Sequence, residues 1–177
     1  MLLAALGLAA WWQIDVWGLL EWQPTALAWG CLAALPLWGL SLWMQQSEWQ
    51  PFREIRQAWQ ENLTPLLLSC HRSDIIVLSL MVGISEELLF RGVLQTGLAT
   101  YHFWGAILLT NLLFGLAHAV TRMYIVLATC VGLYFSASMW IFEPPNLWTP
   151  IIAHTLCDLF AFELLRWESM RRTAGPD

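Results

Sequence analysis

The chain contains no lysine: all eight basic side chains among its 177 residues are arginines. Charge of either sign is scarce, at 12% of residues, against about 25% in ordinary soluble domains. The formal net charge is −5, which gives no basic footprint for a nucleic-acid partner. The four cysteines, Cys31, Cys70, Cys130 and Cys157, form no CxxC pair and mostly sit in or beside apolar runs. They read as small hydrophobes, which argues against both a disulfide scaffold and a zinc site. There is no HExxH, and no serine or cysteine has an adjacent base at a recognisable spacing, so zincin, serine and cysteine chemistries fit poorly. No basic stretch precedes the first apolar run, so a cleavable signal peptide is not expected. No length-matched internal repeat occurs.

What the chain has in abundance is apolar surface. Hydrophobic residues make up 58% of it, and thirteen are tryptophan. Residues 24–44 and 123–142 are uncharged runs long enough to cross about 30 Å of hydrocarbon. Further apolar segments lie at 1–20, 75–100, 105–119 and 147–165, with Pro36 expected to kink the second. Between the second and third, Glu48, Arg53, Glu54, Arg56 and Glu61 alternate with Trp49, Phe52, Ile55 and Trp59, as in a helix lying in the interface plane. The expected fold is therefore all-α: a polytopic transmembrane helical bundle of about six spans plus an interfacial amphipathic helix, in a single membrane domain over residues 1–177. Every arginine except Arg91 falls on one side of that arrangement. The turns at 21–23, 101–104 and 143–147 carry none, so both termini are expected to be cytoplasmic in a multi-pass inner (cytoplasmic) membrane protein.

Inside the third apolar segment stands Ser85-Glu86-Glu87-Leu88-Leu89-Phe90-Arg91-Gly92. A charge at bilayer depth costs roughly 2.5–3.5 kcal/mol or more and normally faces a partner or a wet cavity. On a helix Glu87 and Arg91 share a face in the favourable order for an ion pair, while Glu86 lies about 100° round and stays free to handle a proton. Two other segments bring polar groups to similar depth. Counting along an antiparallel hairpin returns His118 to the level of Glu86, each leg being roughly 24 Å. His154 and Asp158, four apart on one face, rise to the middle of the membrane, somewhat deeper than His118.

Each group has an unremarkable reading as interhelical glue or as an interfacial histidine, yet three separate segments delivering ionisable groups suggests helices converging on one cavity. Such a cavity can activate water: Glu86 takes a proton, a neutral His118 shares or orients the water, and His154 with Asp158 serves the oxyanion. Zinc held by Glu86, His118 and His154 is chemically allowed. A proton or ion pathway could use the same residues.

Glu86-Glu87-x-x-x-Arg91, Phe114-x-x-x-His118 and His154-x-x-x-Asp158 resemble the three motifs of the CPBP family, the CAAX-protease and bacteriocin-processing (Abi) intramembrane proteases. The resemblance covers about residues 73–165, including Phe90-Arg91-Gly92-Val93-Leu94-Gln95. It implies a glutamate-dependent endopeptidase with Glu86 as base, His118 helping to activate water and His154 and Asp158 at the oxyanion site. Glu87 and Arg91 would be supporting groups, and no cofactor or metal would be needed. Eukaryotic prenyl-protein endopeptidases have Asn at the last position. Asp158 cannot donate a hydrogen bond unless protonated, which leaves it orienting His154 or binding a metal. The implied partners are the lipid bilayer and a membrane-anchored protein or peptide, including substrates with a C-terminal tail. Relatives that act as non-catalytic scaffolds or immunity proteins keep that alternative open.

Overall fold

A chain this apolar must satisfy its backbone internally. The computed structural model describes residues 1–173, and every regular element among them is helical. The elements are α1 (Leu2–Trp12), α2 (Pro24–Gln46), α3 (Gln50–Asn62), α4 (Thr64–Ser69), α5 (Arg72–Glu87), a π-helical stretch (Leu88–Gln95), α6 (Thr96–Ala99), α7 (Phe103–Ala117), α8 (Arg122–Met139) and α9 (Trp148–Thr173). Together they form an all-α membrane bundle.

By length and composition α2, α8 and α9 are each able to cross a membrane, and α1 and α7 are shorter apolar helices. From α5 to α6 the three segments abut, making one continuous helical column through residues 72–99. The sequence suggests one span over residues 1–20, but α1 has 11 residues and rises only about 16 Å. It stops because Gln13 takes the left-handed conformation at φ 56°. Asp15 then folds the next residues into a turn, its carboxylate accepting from the amides of Trp17 at 3.1 Å and Gly18 at 3.0 Å.

α9 runs through the middle of the molecule, between α2, α5 and α8. Small residues set two of its close crossings, with α2 and α5. A Cβ on Gly30 would lie 2.7 Å from the Ile152 Cβ, and one on Gly83 would lie 2.4 Å from the Thr155 hydroxyl. The second crossing brings the carboxylate-bearing turn of α5 against α9.

The two ends of the bundle differ in chemistry. At one end the Leu147 amide donates to Leu19 O at 2.8 Å, the Trp148 indole donates to Leu20 O at 3.0 Å, and Phe103 packs edge-on against Trp140. At the other, Arg72 approaches Glu163 at 3.8 Å and Arg172 donates to Gln60 at 2.8 Å. α3 lies across this arginine-bearing end. Its apolar face, Phe52 and Ile55, packs with Met44, and its Arg56 donates to the carbonyls of Met44 and Ser47 at the end of α2. Those carbonyls have no partner within their own helix, which is why a cation there holds α3 in place.

Candidate active site

α5 delivers Glu86 and Glu87 from its last turn, and the π-helical stretch follows at once. A π turn bonds i to i+5 and loosens the α ladder. Here the Thr96 hydroxyl takes up the Arg91 carbonyl at 3.0 Å. Arg91 itself is wholly buried. Its guanidinium donates to Glu87 Oε1 at 3.0 Å, Asn111 Oδ1 at 2.9 Å and Gly132 O at 2.9 Å, joining the column to α7 and α8. The Phe114 ring lies 4.4 Å from its central carbon and the Phe135 ring 5.6 Å. A buried planar cation with three acceptors and aromatic faces uses geometry that lysine could not match.

Glu87 has a second partner, the His154 Nδ1 at 2.8 Å. A carboxylate only accepts, so this nitrogen carries the proton. The other nitrogen, Nε2, stands 3.5 Å from Asp158 Oδ2, and the imidazole stacks on Phe135 at 4.8 Å between centroids. His154 is thus fixed by two carboxylates and a ring. Its orientation depends on both α5 and α9.

Glu86 faces elsewhere. Its Oε2 is buried without a hydrogen-bond partner and lies 3.6 Å from His118 Nε2. His118 closes the end of α7, where its Nδ1 donates to Phe114 O at 2.8 Å. That bond leaves Nε2 with a lone pair when the ring is neutral. Two basic atoms 3.6 Å apart are beyond a direct hydrogen bond, yet one water can donate to both.

A cavity of about 560 Å³ adjoins this group, lined among others by Trp59, Val82, His118, Tyr124, His154 and Asp158. An apolar pocket with His118, His154 and Asp158 in its wall extends between α2, α8 and α9, past Leu37, Met44, Leu127 and Phe135. Glu86 meets the cavity through His118. Counting residues separates the depths of His118 and His154, but in the structure the Phe114 ring touches both, at 4.5 and 6.0 Å between centroids. The six residues expected from the sequence therefore lie in one neighbourhood, arranged as one pair and one chain of four. Glu86 is paired with His118, and Glu87 with Arg91, while His154 bridges Glu87 and Asp158.

The conditional zinc set of Glu86, His118 and His154 is not drawn together as ligands would be. Among the described residues no three His, Cys, Asp or Glu side chains converge in that way, and the His154 Nδ1 is bonded to Glu87 while its Nε2 faces Asp158 at 3.5 Å.

Sequence reasoning missed the polar chain behind Arg91. Asn111 donates to Ser136 Oγ at 2.8 Å, and that hydroxyl donates to Gln95 Oε1 at 2.6 Å, so three segments are tied together in an apolar interior. An asparagine in the middle of the apolar run 105–119 was the available signal. Tyr124 was missed as well. It stands in the first turn of α8, where the Thr121 side chain caps its amide at 3.1 Å, and its ring meets both His118 and Trp59 edge-on.

A protein-family model described as type II CAAX prenyl endopeptidase, Rce1-like, matches residues 71–160. No curated protein and no solved structure matches the chain.

Proposed function

The chain belongs to the type II CAAX prenyl endopeptidase, Rce1-like, family of intramembrane proteases, and from that premise we propose a glutamate-dependent, metal-free hydrolysis at Glu86. In this reading Glu86 removes a proton from water held between its carboxylate and His118 Nε2. The water oxygen attacks the scissile carbonyl carbon, and Glu86 then returns the proton to the departing amine as the C–N bond breaks. His154, oriented by Glu87 and Asp158, serves the charge that develops on the carbonyl oxygen. Arg91 holds Glu87, and through it His154. One observation carries the reading: Glu86 Oε2 is buried without a hydrogen-bond partner and lies 3.6 Å from a histidine nitrogen in the wall of a cavity.

The proposed substrate is a membrane-associated protein or peptide, including one anchored by a C-terminal tail. It would reach the cavity near the arginine-bearing end, which we assign to the cytoplasmic side of the inner membrane. The test presents reconstituted protein with a library of single-span peptides of varied juxtamembrane sequence and reads cleavage by mass spectrometry. Wild type should cut members of the library and Glu86→Gln should cut none while remaining folded. Full activity in that variant would overturn the assignment of the base.

A further inference from the structure

Developing negative charge on a carbonyl oxygen needs a hydrogen-bond donor aimed into the cavity, and most donors in its walls are already committed. Arg91 lines neither the cavity nor the pocket, and its terminal nitrogens donate to Glu87, Asn111 and the Gly132 carbonyl. His118 Nδ1 is spent on Phe114 O and His154 Nδ1 on Glu87. Asn62 donates its amide to Ala58 O at 2.7 Å, and the Ser41 hydroxyl donates to Leu37 O at 2.9 Å. Asp158, as a carboxylate, accepts rather than donates. His154 Nε2, facing Asp158 at 3.5 Å, supplies at most one donor.

Tyr124 lines both the open cavity and the apolar pocket that continues it, alongside His118, His154 and Asp158. A phenol is a neutral donor at physiological pH and carries no charge penalty into an apolar wall. Its position is fixed from three sides. Thr121 caps its amide, and the Trp59 ring packs edge-on at 5.4 Å and 87°. The cluster of Met44, Phe52 and Ile55 supports it from α2 and α3. Its ring meets His118 at 6.1 Å between centroids.

We propose that Tyr124 is a further catalytic residue, its phenolic O–H donating to the oxyanion from the α8 side of the cavity while His154 serves it from α9. The inference rests on the hydrolytic reading of Glu86. As water adds, the carbonyl π pair moves onto oxygen and the Tyr124 hydrogen bond shortens onto it without transferring its proton. The pair returns when the C–N bond breaks. The same geometry makes α3 a positioning element, since Trp59 holds the phenol in place.

The test uses full-length protein in liposomes and the best-cleaved peptide of the single-span library. Tyr124→Phe keeps the ring and removes only the O–H, so kcat should fall about 10²-fold or more with KM and melting temperature near those of wild type. Replacing Tyr124 with 3,5-difluorotyrosine should move the alkaline limit of the kcat profile down by several pH units, because the fluorophenol ionises earlier and an ionised phenolate cannot donate. A packing role moves neither reading. If Tyr124→Phe retains wild-type kcat while Glu86→Gln is inactive, the Tyr124 assignment falls and the hydrolytic reading stands. If both variants cut like wild type, or wild type cuts no member of the library, the hydrolytic reading itself is overturned.

Discussion

Replacing Arg91 with methionine tests the polar cluster most severely. The guanidinium is wholly buried and satisfies Glu87, Asn111 and the Gly132 carbonyl at 2.9–3.0 Å. Methionine approximates its length but leaves Glu87, also wholly buried, with His154 as its remaining partner. Stranding a buried charge in this way costs about 3–5 kcal/mol. For a chain of this size that corresponds to a fall in melting temperature of roughly 6–20 °C. Arg91→Lys should recover little, because an ammonium is a point charge and cannot meet three acceptors in a plane. The companion Glu87→Gln removes the stranded charge. The double variant should therefore be more stable than the sum of the single losses predicts, with a coupling of about 1–3 kcal/mol. Thermal unfolding in detergent, followed by tryptophan fluorescence across the four proteins, measures the cycle. An Arg91→Met protein melting within 2 °C of the parent would refute the claim that this cation organises the site. So would strictly additive losses.

Three further outcomes follow from the same geometry. Glu86→Gln should melt at or above the parent temperature, because an amide at this position removes a buried carboxylate whose Oε2 has no hydrogen-bond partner; thermal unfolding beside the cleavage assay checks this. Gly115→Ala should cost about 1–3 kcal/mol and loosen α7 from α8, since its Cβ would fall 2.6 Å from the Ile125 carbonyl oxygen and 2.0 Å from the Thr129 hydroxyl; lower melting temperature with slower cleavage is the expected pair of readings. Prolonged chelation should leave cleavage unchanged and purified protein should hold far less than stoichiometric zinc by elemental analysis. Stoichiometric zinc lost together with activity would overturn the metal-free proposal.

Much of the candidate site could be read in one dimension because charge inside an apolar run is costly wherever the run ends up. Glu86, Glu87, Arg91, His118, His154 and Asp158 stood out for that reason, and their spacing of four along a helix predicted which of them share a face. Asn111 and Ser136 carry no charge and cost less in an apolar segment, so their join to Arg91 and Gln95 left only a faint signal. Tyr124 was hidden differently. An aromatic near a helix end has the same composition whether it packs against lipid or lines a cavity.

The amino-acid order alone determined that the chain is an all-α membrane bundle with arginine at one end, since apolar length and charge placement are properties of local sequence acting against lipid and water. Packing decided which partner each polar group meets. Glycines at 30, 83 and 115 let helices approach closely enough to bring groups far apart in sequence to within 4 Å or less of one another. Only those crossings determine that Glu87, besides its neighbour Arg91, turns to His154, leaving Glu86 with His118.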